Sequence, residues 1–207
     1  MDVETVATYD RTAVQFADRW WDTRLTAHMD RFVAALGGAG GGPVLDLGCG
    51  PGRDTAWFGE LGLAAIGMDA SSGMLDEARR RVGVGVDVVR GDLVALPFGD
   101  ASAGGAWVCA SLLHLTESDA SVALGDVARV VRDGGPLFCG VQVGVGSGTK
   151  SSPEGDRRFT FWSPSAFSAM VASSGFDVVA YDVAESDDAP GVTWVSVHAV
   201  RTTAGAH

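Results

Sequence analysis

The chain has 207 residues, 46% of them hydrophobic, which is enough for one core without staples. Its formal net charge is −11 and Lys150 is its only lysine, which counts against nucleic acid as a partner, since phosphates are bound by clustered Lys and Arg. Cys49, Cys109 and Cys139 are odd in number and widely spaced, which suits neither a disulfide framework nor a zinc site.

The opening MDVETVATYD is acidic and lacks the apolar run of a signal peptide. No apolar stretch reaches membrane-spanning length, so a cytoplasmic location and no membrane partner are expected. Residues 11–36 follow as an amphipathic helix or helix pair, with Phe16, Ala17, Trp20, Trp21, Leu25, Met29 and Phe32 at helical spacing. Asp10 is placed to cap it. The glycines of GGAGGGP must then form a loop.

Short apolar runs and helical segments alternate after the loop. Strands are expected at Val44–Leu47, Ala64–Met68, Val86–Arg90, Gly105–Ala110 and Leu137–Val143. Helices are expected at Arg53–Leu61, Ser72–Arg81 and Ser118–Val131. Arg79-Arg80-Arg81 reads as the basic end of its helix, where cations complement the dipole. Such alternation implies a parallel sheet with helices on both faces. A helix near Ser165–Ser173 precedes strands Phe176–Val183 and Val192–Arg201, an antiparallel pair that closes the sheet. The tail TTAGAH is expected to fray.

The most informative segment is PVLDLGCGPGRDT, residues 43–55. A buried strand enters a turn with Gly48, Gly50 and Gly52, where positive φ and close ligand approach are permitted. The nicotinamide fingerprint is G-x-G-x-x-G, but here the third glycine position holds Arg53. Asp69, 21 residues beyond Gly48, ends the second strand, where a carboxylate accepts hydrogen bonds from both ribose hydroxyls. Asp92 ends the third strand, within reach of an exocyclic adenine amine. The three strand ends together fit an adenosyl ligand without phosphates.

VLDLGCGPGR, IGMDASSGMLDEAR, GDLVALPF and ASLLHL resemble the successive motifs of class I S-adenosylmethionine-dependent methyltransferases of the small-molecule type. The resemblance covers roughly residues 43–145. It implies a Rossmann-like doubly wound α/β fold with seven strands, mostly parallel, in which the last strand inserted is antiparallel. It divides a single domain, 1–207, into a helical cap (1–36), a cofactor-binding core (43–145) and an acceptor-side part (146–201). It also implies S-adenosylmethionine contacts at Gly48, Cys49, Gly50 and Asp69, with Ala70 and Met74 flanking the adenosine. Asp92 and Leu93 would lie against adenine, with Cys109, Ala110 and Ser111 near the sulfonium. Asp46 would orient the amino-acid end and Arg53 would meet its carboxylate. The expected partner is a small-molecule acceptor.

Two residues are candidates for the chemistry. His114, just past the fourth strand, is either a base or acceptor-orienting group, or a histidine that holds its loop through the backbone. Tyr9 would reach the site from an N-terminal helix folded over the cofactor, as in the resembling family. Trp20 and Trp21 could line an acceptor pocket or simply fill core, as could Phe159, Phe161 and Trp162, whose alternation suggests a strand or hairpin. His28, His198 and His207 have no partners at ligand spacing, so no metal is expected. Base methylation is disfavoured by CASLLHL, which stands where an amino-group enzyme would carry D/N/S-P-P-Y/F.

Overall fold

The computed structural model describes residues 2–37, 41–82, 87–153 and 155–203. Residues 38–40 of the glycine loop, Val86 of the third expected strand and 204–207 of the tail, with His207, lie outside the described residues.

The N-terminal segment is a helix pair, α1 (Val3–Trp20) and α2 (Thr26–Leu36). Helix α1 begins well before the expected position, so Tyr9 and Asp10 lie inside it and Asp2 is its cap, accepting from Thr5 N–H. The early turns were not legible because the buried face there is Thr5 and Thr8 rather than an apolar stripe. Both threonines bind the backbone of a distant strand instead of filling core. The side chain of Asp10 caps another helix, as described below.

Strand β1 (Val44–Leu47), helix α3 (Arg53–Glu60), strand β2 (Ala65–Asp69), helix α4 (Ser72–Val82) and strand β3 (Asp87–Arg90) follow. Then come β4 (Gly105–Cys109), a 3-10 turn at Leu112–His114, α5 (Glu117–Val130) and β5 (Pro136–Gln142). Strands β6 (Ser147–Ser152) and β7 (Gly155–Thr160) form a separate antiparallel hairpin. Helix α6 (Pro164–Ser173) leads to β8 (Phe176–Glu185) and β9 (Thr193–Arg201).

The main sheet has seven strands in the order β3-β2-β1-β4-β5-β9-β8. The first five are parallel, and β9 runs antiparallel between β5 and β8. This is the mostly parallel α/β architecture expected from the sequence. The order reverses at β1, so the connections that leave β1 and β4 run to opposite faces of the sheet and open the crevice where open α/β sheets bind ligands.

Both faces are covered. Leu45, Leu47, Val108, Leu124 and Phe167 pack on one, and Met29, Phe32, Phe58, Trp107 and Phe138 on the other. Trp107 stacks on Phe138 with ring centroids 3.9 Å apart, and its indole N–H donates to Asp54 at 2.9 Å. Pro136 opens β5, where its missing N–H is tolerated.

Polar contacts dock α1 over the crevice. Thr8 Oγ1 donates to the Asp156 carbonyl and the Arg158 N–H donates to Thr5 Oγ1, both at 2.8 Å, so the helix satisfies part of the edge of β7. Asp10 accepts from Ser71 Oγ (2.7 Å) and Gly73 N–H (2.9 Å), capping α4 from outside. A Cβ at Gly73 would lie 2.5 Å from the Asp10 carbonyl oxygen, so the two helices meet only because that residue is glycine. The basic run at the end of α4 is paired internally: Arg79 with Asp76, Arg80 with Glu77, and Arg81 with Glu77 and Asp18.

Asp10→Ala is expected to cost about 1 kcal/mol of stability, the usual worth of an N-cap side chain. Urea unfolding measures it; an unchanged midpoint would contradict the cap.

Candidate active site

The turn after β1 is shaped by glycines. Gly48 has φ +79°, and a Cβ there would lie 2.3 Å from Ser111 Cβ, so no side chain fits. The Gly48 and Cys49 N–H groups both donate to the Met68 carbonyl, at 2.7 and 3.0 Å, tying the turn to β2. Gly50 N–H donates to Asp69 Oδ2 at 2.9 Å, and Ser71 N–H to its other oxygen at 2.8 Å. Burial pushes the Asp69 carboxyl up while these backbone bonds oppose the shift. Its oxygens keep lone pairs for a further donor.

Below the turn lies a buried polar group of residues. Asp46 accepts from Thr55 Oγ1 at 2.5 Å, and burial together with the neighbouring Asp54 raises its pKa to about 8. Arg53 grips Asp54 through two parallel bonds, Nε–Oδ1 at 2.6 Å and Nη2–Oδ2 at 2.9 Å. Its remaining Nη1 is 3.4 Å from the Trp20 carbonyl oxygen, facing the cavity. The sequence reading missed Asp54, which anchors both Arg53 and Trp107.

The end of β4 forms the next wall. Burial pushes the Cys109 thiol up to about 12, and Ser111 Oγ donates to the Leu47 carbonyl at 2.9 Å. Ala110 has φ +56°, a conformation that costs a non-glycine residue energy and recurs at functional sites. Cys49 is buried, with its thiol held neutral by burial. The three cysteines are free thiols.

Tyr9 and His114 meet across the cavity roof. Tyr9 Oη is 2.8 Å from His114 Nε2, and His114 Nδ1 is 2.6 Å from the Arg158 carbonyl oxygen. A carbonyl only accepts, so Nδ1 carries the proton and Nε2 accepts from the Tyr9 hydroxyl. Burial lowers the His114 pKa to about 4, and burial raises that of Tyr9. One nitrogen of His114 thus bonds the backbone and the other meets Tyr9.

These elements enclose a cavity of about 700 Å³. It is lined by Asp46, Gly48, Cys49, Gly50, Arg53, Asp69, Met74, Cys109, Ala110, Ser111, His114 and Tyr9. Ala70, Asp92 and Leu93 are not in its lining. Leu93 packs into the core, and the chain beyond β3 folds into a tight turn in which Ala95 N–H donates to the Asp92 carbonyl. Trp20 and Phe159 line the cavity, whereas Trp21 lies under Arg81 and Trp162 packs on Phe167.

Sequence reasoning missed two further features of the walls. Lys150 and Arg157 face each other across the hairpin, with Lys150 Nζ 4.4 Å from the Phe159 ring centroid and the Arg157 guanidinium 5.6 Å from that of Tyr9. At the other end His28, Asp182 and His198 converge, although 170 residues separate the two histidines.

Residues 44–135 match the family model described as a methyltransferase domain. That stretch, less than half of the chain, is similar to methyltransferase domains. The chain is 34% identical over 105 residues to a demethylmenaquinone methyltransferase of Renibacterium salmoninarum, covering 51% of this chain and 43% of that one. It is 40% identical over 114 residues to an uncharacterized transposon protein of Streptomyces fradiae, covering 51% and 32%. The chain thus spans a third to less than half the length of these relatives. Its fold matches the crystal structure of 1,6-didemethyltoxoflavin-N1-methyltransferase of Burkholderia thailandensis, with bound 1,6-didemethyltoxoflavin and S-adenosylhomocysteine, at a TM-score of 0.72 and 22% identity, over 96% of this chain and 88% of that one. No helix of the described residues is long and apolar enough to cross a membrane.

The depressed His114 pKa makes a pH prediction. The unfolded chain protonates this imidazole near 6.5 and the folded one only near 4, so its contribution is present above pH 6.5 and is lost as pH falls towards 4. His198 contributes in the same window. Urea unfolding at pH 7 and pH 4.5 should therefore show a smaller acid loss in His114→Gln than in the parent, by about 1–3 kcal/mol. Equal losses would contradict the buried neutral imidazole.

Proposed function

We propose that the chain transfers the methyl group of S-adenosylmethionine to a small-molecule acceptor bound in the cavity. The observation that carries this reading is the side-chain-free bend at Gly48 next to the Asp69 carboxylate, a cradle that a Cβ would fill. Asp69 would accept from the ribose hydroxyls while staying bonded to Gly50 and Ser71. Arg53 Nη1 would meet the cofactor carboxylate, with Asp54 holding the guanidinium in place. Asp46 acts beneath the turn through Thr55. Met74 would flank the adenosine from α4, and Cys109 to Ser111 would lie near the sulfonium. The assignment of Ala70, Asp92 and Leu93 to the adenosine end rests on the resemblance of their motifs and, for Asp92, on its strand-end position.

When bound, the cofactor supplies an electrophilic methyl group on a good leaving group. The protein's task is then alignment and exclusion of water. The Tyr9 hydroxyl donates its hydrogen bond to His114 Nε2, which leaves the phenol oxygen free to accept from an acceptor O–H or N–H. With the His114 pKa near 4, complete proton transfer to that imidazole is uphill at neutral pH. Tyr9 and His114 are therefore proposed to orient an acceptor that loses its proton easily. Lys150 and Arg157 on the same wall favour an acceptor carrying negative charge. The paired basic run on α4 supports a small molecule over a polyanion. A cytoplasmic location is part of this reading.

Calorimetry with S-adenosylhomocysteine tests the cofactor assignment, and absence of binding sinks it. Asp69→Ala should weaken that binding by about 1.5–3 kcal/mol through the lost charge-assisted bonds. A mass-spectrometric screen of metabolite extracts for products heavier by one CH₂ identifies the acceptor. With that acceptor, Tyr9→Phe should lower kcat on the order of tenfold or more while leaving S-adenosylhomocysteine affinity unchanged. Full turnover in Tyr9→Phe would remove the tyrosine from the site.

A further inference from the structure

The cavity has a second end, away from the glycine turn, where α2 meets β8 and β9. His28 Nδ1 on α2 lies 3.0 Å from His198 Nε2 on β9. Asp182 Oδ2 on β8 lies 4.0 Å from the same His28 nitrogen. One ligand atom from each of the three residues falls within 4.8 Å of the others. Asp182 and His198 project from one face of the β8–β9 pair, since Asp182 pairs with Ser196 and Ala180 with His198. Helix α2 brings His28 down onto that face, where both imidazoles pack against the Phe138 ring.

Two imidazole nitrogens aimed at each other can share one proton or one metal ion. Metal–nitrogen bonds of about 2.0 Å in a tetrahedral site set neighbouring ligand atoms about 3.3 Å apart. The histidines therefore need to part by only a few tenths of an ångström. The carboxylate needs to swing in somewhat further, and its side chain is half exposed. Another cationic neighbour is Arg31, 3.4 Å away and equally exposed, a pairing of little energetic worth that a divalent ion displaces.

We propose that His28, His198 and Asp182 form a binding site for one divalent transition-metal ion of the zinc type. Nitrogen–nitrogen–oxygen donors suit such ions and not calcium or magnesium, which take oxygen. His28 and Asp182 line the cavity, so three protein ligands leave a coordination position on the cavity side for water or for an oxygen of a bound molecule. The site lies apart from the glycine turn and does not depend on the cofactor assignment.

The test is titration of the untagged, chelator-treated protein with Zn²⁺ in a calorimeter, and with Co²⁺ followed by its visible ligand-field bands. One equivalent is expected to bind saturably in both. His28→Gln and His198→Gln should each weaken Zn²⁺ binding on the order of 100-fold and abolish the Co²⁺ bands, with Asp182→Asn weaker by about tenfold. Unfolding midpoints of the variants without metal check that the fold survives, and His28, at the cavity wall, is the informative position if His198→Gln does not fold. Absence of saturable binding overturns the site. So does full-affinity binding in His28→Gln, which would locate the metal on the thiols or on His207.

Discussion

The structure depends on a close approach between two strand ends. Gly48 sits against Ser111 at a separation that excludes any side chain, and this lets the ends of β1 and β4 meet below the cavity. The same bend hands its amides to β2, two to the Met68 carbonyl and one to Asp69. A carboxylate is thereby fixed by backbone donors on one side and presented to the cavity on the other. A larger residue at 48 would move the turn, and with it the orientation of Asp69 and the course of Ala110 through its positive φ. One missing Cβ thus positions three walls of the site.

The cover over this bend is polar. Helix α1 is held by Thr5 and Thr8 on β7, by Asp10 on the start of α4, and by Asp18 on Arg81. Hydrogen bonds add direction where apolar packing alone would leave the helix free to slide. That direction brings Tyr9 to His114 at 2.8 Å. Burial then sets the character of the pair: it keeps the imidazole neutral and the phenol protonated. Beneath the turn burial acts similarly on Asp46, whose raised pKa relieves repulsion from Asp54.

Most of the fold was legible in the sequence. The strand and helix positions from β1 to β5 were set by apolar runs and breaker residues, and the observed bounds differ from the expected ones by a residue or two. The glycine bend and Asp69 were legible because spacing alone ties them together. The length of α1 was not, since the buried face of its early turns consists of threonines whose partners lie in a strand well over a hundred residues away. The role of Asp10 was misread for the same reason. It caps a helix, but one 61 residues further along the chain.

By itself the sequence determined the parallel α/β layering, the bend that admits no side chain and the carboxylate after the second strand. These follow from local conformational rules and from the period of burial, which act within a few neighbouring residues. Tertiary structure alone decided which polar groups meet: Tyr9 with His114, Lys150 with Arg157, and His28 with His198 and Asp182. It also left Ala70, Asp92 and Leu93 out of the cavity wall. Such pairings join residues distant in sequence, and no local pattern records a contact that only the packing of separate elements creates.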